Sequence, residues 1–339
     1  MIKIIERKRL KFKDDYTYLS RNMIMDEHPQ YILDSLLSYF KKEDLHPYPD
    51  MWKPYEILSK YLEVSQEQLL ITRGVEGAFK HVFETLTNQG DSVGILTPTC
   101  EMYHVYAKVY GVDVIEIKGD VPDYKITVEQ IKDVIPTIKI LILDNPKSHL
   151  PNHFTHNELH TIIKYCETHG VIVFLDEVYI GWGVDTYLPK LSNYNNLIIS
   201  SSFSKIAFAS LRVGWLATNT ELMKRLESTR EACELDYFQC KSIEFLLNNQ
   251  NYVNDFKSKI LKTKNRWFEE LSKSKKFKVY DSKSYVLRVY SKDKDYVKQI
   301  YDKLYENKIV VNLVDDFNLV FAVSLNKEIE NIIFRYLCI

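Results

Sequence analysis

The sequence predicts an α/β protein with a large domain, in which helices cover a mostly parallel sheet, and a smaller α+β C-terminal domain. Between residues 68 and 217, short apolar runs alternate with segments whose apolar residues recur at helical spacing. This alternation is typical of β/α units that build a parallel sheet. From residue 277 onward, strands and helices follow without that regular alternation. We expect an N-terminal arm at 1–30, a large domain at 31–230, and a bridging helix with the small domain at 231–339.

The large-domain elements follow from the spacing of apolar residues. In 75–86 the apolar residues recur every three or four positions, as on one face of a helix. In 139–143 and 171–175 nearly every residue is apolar, as expected for strands covered on both faces. By the same criteria, helices are predicted at 30–42, 52–64, 75–86, 104–110, 126–134 and 156–168, and strands at 68–72, 91–96, 113–117, 139–143, 171–175, 197–201 and 213–217.

Beyond the large domain, charge-rich segments predict one or two long helices at 221–250 and 252–272, which bridge to the small domain. The small domain combines period-two and helical patterns. Its predicted strands are 277–280, 285–290, 310–313 and 319–325, and its predicted helices are 294–306 and 327–337.

Composition argues against several classes of partner. The net charge is −1, from 45 basic and 46 acidic residues, so no strongly charged surface for nucleic acid or anionic membrane is indicated. No apolar run approaches the roughly 18 residues of a membrane helix. The five cysteines are odd in number and show no Cys-x-x-Cys spacing, which argues against a disulfide framework or a zinc site. We expect a cytoplasmic protein without metal, nucleic acid or membrane partners.

One lysine, one arginine and four serine hydroxyls stand in the otherwise apolar segment 201–215. Because it follows a predicted strand, Lys205 should lie at the carboxyl edge of the sheet, where α/β proteins bind ligands. Desolvation lowers the pKa of such a lysine and makes it a nucleophile toward carbonyls, forming a Schiff base. Arg212, Ser202 and Ser204 suit a phosphate. A phosphorylated aldehyde with these partners describes pyridoxal 5'-phosphate; an arginine in an ordinary ion pair is the alternative.

Two further segments support a cofactor of this kind. The strand 171–175 ends in Asp176, whose carboxylate can pair with a protonated pyridine nitrogen, and Tyr179 can bond the ring hydroxyl. The helix that follows Gly74 directs the amides of Val75 and Glu76 out of its N-terminus, which makes a third phosphate contact.

Six short motifs together resemble a known family. They are Tyr48-Pro-Asp, Thr72-Arg-Gly-Val-Glu-Gly, Pro98-Thr-Cys-Glu-Met-Tyr, Asp144-Asn-Pro-Lys-Ser, Asp176-Glu-Val-Tyr, and Ser202-Phe-Ser-Lys with Leu211-Arg-Val-Gly. In this order they resemble fold type I pyridoxal-phosphate enzymes of the class I/II aminotransferase group, and the histidinol-phosphate aminotransferase-like proteins in particular.

The resemblance implies an enzyme that transfers an amino group between an amine or amino-acid donor and a carbonyl acceptor, with Lys205, Asp176 and Tyr179 as the catalytic residues. It also implies a homodimer in which Tyr48 bonds the cofactor phosphate of the partner subunit. Two positions in the predicted cofactor site depart from the family. Cys100 occupies the place of an aromatic residue that stacks on the ring, and Ser148 that of an asparagine that bonds the ring hydroxyl.

The predicted substrate is atypical, because Ala322 stands where relatives carry an arginine that grips the substrate's anionic end. Arg288 is a candidate substitute if its side chain points toward the site. Two other functions remain open on the sequence: a decarboxylase, lyase or oxidase with the same cofactor and fold, and a non-catalytic sensor that binds the cofactor.

Overall fold

The computed structural model describes residues 11–148, 150, 153–206 and 208–338 of the 339-residue chain. The first ten residues of the predicted arm lie outside this part. In chain order the strands are β1 (Thr17–Tyr18), β2 (Leu69–Thr72), β3 (Ser92–Thr97), β4 (Asp113–Lys118), β5 (Ile140–Asp144), β6 (Ile172–Asp176), β7 (Leu197–Ser202), β8 (Gly214–Thr218), β9 (Lys278–Tyr280), β10 (Val286–Tyr290), β11 (Ile309–Val310), β12 (Asn312–Asp315) and β13 (Asn318–Ala322).

The helices are α1 (Gln30–Leu37), α2 (Trp52–Leu62), α3 (Gly74–Leu86), α4 (Glu101–Tyr110), α5 (Val128–Val134), α6 (His156–Thr168), α7 (Thr220–Leu226), α8 (Tyr237–Asn248), α9 (Gln250–Leu271), α10 (Lys294–Glu306) and α11 (Lys327–Leu337). Several begin at side chains that bond the free amides of the first turn. In α6, Thr155 and Glu158 form a reciprocal capping box, which fixes where the helix starts.

The larger sheet has seven strands in the order β2-β8-β7-β6-β5-β3-β4. Every strand runs parallel to the others except β8, which is antiparallel to both of its neighbours. Alternate residues of the central strands enter two different apolar clusters, with Leu141 and Val173 in one and Ile142 and Phe174 in the other. Helices therefore cover both faces, and the predicted α/β class is confirmed.

The smaller sheet is antiparallel, with strand order β12-β13-β10-β9. Helices α9, α10 and α11 pack beside it, while the turn Leu19–Arg21 packs on β13 from the N-terminal side of the chain. The Asp26 carboxylate accepts hydrogen bonds from Ser324 Oγ at 2.8 Å and from the Leu325 amide at 2.7 Å. The N-terminal segment is thus attached to the small sheet. The predicted boundaries at residues 30 and 230 remain predictions.

The predicted helix at 221–250 is wrong in one respect, because it is interrupted between α7 and α8. Asp236 accepts a hydrogen bond from the Gln239 amide and so starts a new helix. Just before it, the Glu234 carboxylate accepts hydrogen bonds from Tyr55 at 2.5 Å and from Arg230 at 3.3 Å. The long-range contact with Tyr55 holds the intervening segment in a non-helical path that charge patterning does not show.

Candidate active site

Lys205 lies in the short turn Phe203–Lys205 that follows β7, at the carboxyl edge of the larger sheet. Its Nζ donates to the main-chain oxygen of Asn22 at 2.6 Å and stands 5.8 Å from the ring centroid of Tyr179. Burial lowers the pKa of this amine to about 8. About one Lys205 amine in ten is therefore neutral, and hence nucleophilic, at pH 7.

Asp176 ends the neighbouring strand β6 and is buried. Its Oδ1 accepts a hydrogen bond from the Val178 amide at 2.8 Å, and its Oδ2 accepts one from the Tyr103 hydroxyl. Burial raises the pKa of Asp176 to about 6, although these two donors oppose the rise. Asp176 and Lys205 each influence the pKa of the other. The structure therefore brings the predicted lysine and carboxylate into one site.

Tyr179 and Ser148 share a hydrogen-bonded cluster beside Lys205. The side chains of Asn22 and Ser148 bond the Tyr179 hydroxyl, and burial raises the pKa of that hydroxyl above its ordinary value. Tyr179 is consequently a neutral phenol that can donate a hydrogen bond. The Ser148 carbonyl accepts a hydrogen bond from Ser284 on the small-sheet side of the site.

Arg212 lies across the N-terminus of α3. Its Nη1 is 3.5 Å from Ser204 Oγ and its Nη2 is 3.5 Å from the Arg73 carbonyl. The chain can approach this closely only without a side chain at Gly214, since a Cβ there would be 2.6 Å from the backbone of Gly74. A guanidinium, a hydroxyl and the first amides of a helix thus converge, an arrangement that suits a phosphate.

The predicted amides Val75 and Glu76 belong to the first turn of this helix. Glu76 also brings its carboxylate to 3.9 Å from Arg212 Nη2. The Ser202 hydroxyl, by contrast, is used within the protein: it accepts from the Ser204 amide at 3.0 Å and lies 2.9 Å from the Val213 carbonyl. Ser202 therefore shapes the turn that carries Lys205, and its contact with a phosphate stays a prediction.

Cys100 immediately precedes α4 and lies within electrostatic range of Lys205 and Asp176. Although Cys100 as a residue is exposed, the protein atoms around its thiol desolvate it and raise its pKa to about 11, so the side chain is a neutral thiol near neutral pH. Tyr48 is 89 % exposed. An aromatic side chain this exposed is available to a second molecule, and its predicted contact with a partner subunit stays a prediction.

Ala322 and Arg288 lie on the small sheet. Ala322 is fully buried and pairs in register with Val286. The Arg288 guanidinium stacks 3.7 Å from the ring centroid of Tyr280 and donates to Asn318 Oδ1 at 3.0 Å and to the Pro122 carbonyl at 2.5 Å. These contacts join the small sheet to the loop before α5, and they argue against Arg288 as the substitute for the missing arginine.

Sequence reasoning missed three contributors to the site. The Asn22 carbonyl contacts Lys205 from a distance of 183 residues along the chain, and a main-chain oxygen carries no sequence signal. Tyr103 bonds Asp176, whereas the motif suggested only an aromatic near the ring. Lys147 forms an ion pair with Asp144, beside Asp176. In the sequence, the only indication of a role for Lys147 is that it precedes Ser148, in a loop that departs from the family pattern.

These residues fit pyridoxal 5'-phosphate on the chemistry of their donors and acceptors. A half-buried, partly neutral lysine can bond an aldehyde, and a neighbouring carboxylate can face a pyridine nitrogen. The cradle of Arg212, Ser204 and the α3 N-terminus suits the phosphate. Within the described ranges, no cluster of His, Cys, Asp and Glu side chains could bind a metal, and no helix has the length and apolarity to cross a membrane.

Comparison with known proteins agrees with this chemistry. The family model for aminotransferase class I and II matches residues 43–323. The histidinol-phosphate aminotransferase of Clostridium novyi (strain NT) is 27% identical over 279 residues, which cover 81% of this chain and 76% of the relative. The crystal structure of the histidinol-phosphate aminotransferase from Clostridium acetobutylicum matches with a TM-score of 0.84 at 20% identity, covering 94% of this chain and 97% of that one.

A second solved structure, histidinol-phosphate aminotransferase from Sinorhizobium meliloti in complex with pyridoxal-5'-phosphate, also matches with a TM-score of 0.84, at 15% identity over 95% of this chain and 91% of that one. At such identities the structures establish the fold, and the family model establishes the relationship. The chain therefore belongs to the class I and II aminotransferases, enzymes that transfer amino groups with pyridoxal 5'-phosphate as their cofactor.

Proposed function

We propose that this enzyme transfers an amino group between an amine or amino-acid donor and a carbonyl acceptor, with Lys205 as its catalytic residue. One observation carries the proposal: a half-buried lysine, whose pKa desolvation lowers to about 8, lies just after β7 and beside a buried carboxylate at the end of β6. Such a lysine can act both as a nucleophile and as a proton carrier.

The cofactor is held by groups from four segments of the chain. Arg212, Ser204 and the amides of Val75 and Glu76 bind its phosphate. Asp176 accepts a hydrogen bond from its protonated ring nitrogen. Tyr179 donates to its ring hydroxyl, with Ser148 beside it. Cys100 covers one face of the ring with a neutral thiol, which is smaller than the aromatic side chain of relatives and leaves that face more open.

Pyridoxal 5'-phosphate, when bound, supplies an aldehyde and an electron-withdrawing ring that stabilises negative charge on the substrate carbon. Lys205 Nζ would hold the cofactor through its aldehyde and, as a free amine, would carry the proton between the substrate Cα and the cofactor C4'. Asp176 keeps the proton on the ring nitrogen. Tyr179, at 7 % exposure, helps to keep water from this region.

The substrate differs from an ordinary α-amino acid at its anionic end, or binds that end through another group. Support comes from Ala322, which is fully buried and uncharged at the place of the family's arginine, and from the commitment of Arg288 to Asn318 and the Pro122 carbonyl. Tight, saturable turnover of plain aspartate or histidinol phosphate would contradict this part of the proposal.

The test is a panel of amines added to the purified holoenzyme. A donor substrate converts the cofactor to its amine form, with loss of the visible absorbance of the lysine-linked cofactor. Lys205→Ala should abolish both the absorbance and turnover, whereas Lys224→Ala, at an exposed surface lysine, should change neither. Release of carbon dioxide or an elimination product instead would favour the decarboxylase, lyase or oxidase alternative, and a reducible lysine adduct without turnover would favour the sensor.

We also propose that the enzyme is a homodimer in which Tyr48 reaches the partner's cofactor phosphate. Tyr48 and Trp52 are 89 % and 69 % exposed, and a cavity of about 540 Å³ opens beside Arg212, large enough to admit a side chain. Light scattering should give twice the chain mass. Tyr48→Phe should leave that mass unchanged and weaken cofactor binding, and cofactor affinity equal to that of the unaltered protein would contradict the contact.

A cytoplasmic location is the last element of the proposal. All five cysteines are free thiols, as is usual in a reducing compartment. Recovery of the protein from the soluble cytoplasmic fraction of its source cells would support this location, and recovery with intact disulfides from a secreted fraction would contradict it.

A further inference from the structure

The carboxylate assigned to the ring nitrogen has a second carboxylate as its neighbour. Asp144 ends β5 and Asp176 ends β6, and the two residues are in-register partners of a parallel pair. Adjacent strands lie about 4.8 Å apart and their in-register side chains point to the same face. Each like charge disfavours the ionisation of the other, and Asp144 adds to the rise in the pKa of Asp176. An uncompensated Asp144 would therefore favour protonated Asp176.

Lys147 supplies a positive charge to Asp144. Its Nζ lies 2.8 Å from Asp144 Oδ1 and donates to the carbonyls of Leu96 at 2.9 Å and Pro98 at 3.1 Å. The three donors of the ammonium thus have three acceptors, and the residue is only 5 % exposed. Thr99 donates to the other oxygen of Asp144 at 3.0 Å. This is a fully bonded, buried ion pair.

Three other titratable groups near Asp176 do not supply a fixed positive charge of the kind that Lys147 supplies. The Tyr103 hydroxyl is a neutral donor. Burial keeps the Cys100 thiol neutral by raising its pKa to about 11. Lys205 is the reacting amine, so its charge changes during the reaction. Lys147 is instead held in place by hydrogen bonds to three acceptors.

We propose that Lys147 is a positioning residue for the cofactor ring nitrogen, because its pairing with Asp144 leaves Asp176 as the ionised carboxylate that faces the ring. Its bonds to the Leu96 and Pro98 carbonyls also hold the segment that leads to Cys100. Lys147 acts through Asp144 and not by direct contact with the ring. The inference rests on the proposed role of Asp176 in cofactor binding.

The test compares three variants with the unaltered holoenzyme: Lys147→Met, Asp144→Asn and the double variant. Lys139→Met is the matched control, because Lys139 forms a more exposed pair with Asp91, 2.7 Å long, at the opposite end of β3 and β5. Two readouts do not depend on turnover. They are the dissociation constant of pyridoxal 5'-phosphate and the pH midpoint of Asp176 protonation, followed in the protein without cofactor by carbon NMR of labelled aspartate carboxylates.

We expect Lys147→Met to raise the pH midpoint of Asp176 protonation by about one unit and to weaken cofactor binding by up to about tenfold below that midpoint, since one unit corresponds to a factor of ten. Asp144→Asn should move the midpoint in the opposite direction. The double variant replaces the ion pair by a neutral pair of similar size, so its dissociation constant for the cofactor should be within about threefold of that of the unaltered protein. Lys139→Met should have the same dissociation constant as the unaltered protein.

A double variant that binds the cofactor as weakly as Lys147→Met would overturn the proposal, because the lost hydrogen bonds from Lys147 to the Leu96 and Pro98 carbonyls would then account for the weaker binding. So would shifts of the same sign in both single variants, or a Lys147→Met variant that equals the control. If Lys147→Met does not fold, the sign of the pH shift in Asp144→Asn still tests the proposal. Failure of the unaltered protein to bind the cofactor would instead refute the proposed function, so the two failures are distinguishable.

Discussion

Attachment of the cofactor to Lys205 should follow a titration near pH 8. Burial lowers the pKa of this amine to about 8 from an ordinary value of 10.5. At pH 7 about one amine in ten is then neutral, against about 3 in 10,000 for an ordinary lysine, a difference of about 300-fold. We expect the rate constant for the reaction of apoenzyme with pyridoxal 5'-phosphate to rise about tenfold per pH unit below pH 8 and to level off above it.

The assay is stopped-flow absorbance of the lysine-linked cofactor from pH 6 to pH 10, with a blocked lysine peptide to correct for ionisation of the cofactor itself. Lys205→Ala should give no signal. Asp176→Asn should lower the midpoint further, because the Asp176 carboxylate favours the charged amine. A midpoint near the ordinary lysine value, or attachment to Lys205→Ala at an equal rate, would refute the reasoning.

Three further predictions concern other contacts. Tyr103→Phe removes a hydrogen bond to Asp176 worth roughly 1.5–3 kcal/mol, so the pKa of that carboxylate should rise by about one to two units. A pH profile of cofactor binding measures this rise, and an unchanged profile would contradict it. Arg212→Lys should weaken binding of pyridoxal 5'-phosphate about tenfold or more, because the planar fork is lost, while leaving the affinity for pyridoxal unchanged in the same titration. The Arg266 guanidinium holds the pKa of Glu330 at about 2, so this pair stabilises the fold above about pH 4.5 and loses its effect as the pH falls toward 2. In urea unfolding, Glu330→Gln should lower the free energy of unfolding by about 1–2 kcal/mol at pH 7 and by little at pH 2.5. An equal loss at both pH values would refute the assignment.

The alternating pattern was enough to predict the larger sheet and its helices, because parallel strands buried on both faces are apolar throughout. The run 139–143 is one example, observed as β5 (Ile140–Asp144). Lys205 and Asp176 could be assigned to one edge for the same reason, since each follows such a strand. For these two residues, the strand pattern and the side-chain chemistry both predict a ligand site at this edge of the sheet.

Other parts of the site depend on contacts between distant segments. The Asn22 carbonyl reaches Lys205 only because the N-terminal segment packs on the small sheet, where Asp26 bonds Ser324. The direction of Arg288 depends on which strands flank it, and strand alternation alone left it undecided. Such placements follow from tertiary packing, which a single sequence does not encode in its local periodicity.

The reversed direction of β8 determines how the lysine and the arginine meet. Because β7 and β8 are antiparallel neighbours, the chain leaves one strand and enters the next at the same edge of the sheet, and residues 203–213 need no crossover. A parallel β8 would require a connection of a dozen or more residues that re-enters at the far edge. The hairpin thus makes the spacing between Lys205 and Arg212, the side chains proposed for the aldehyde and the phosphate, a property of one short connection, in which a single inserted or deleted residue would shift Arg212 relative to Lys205.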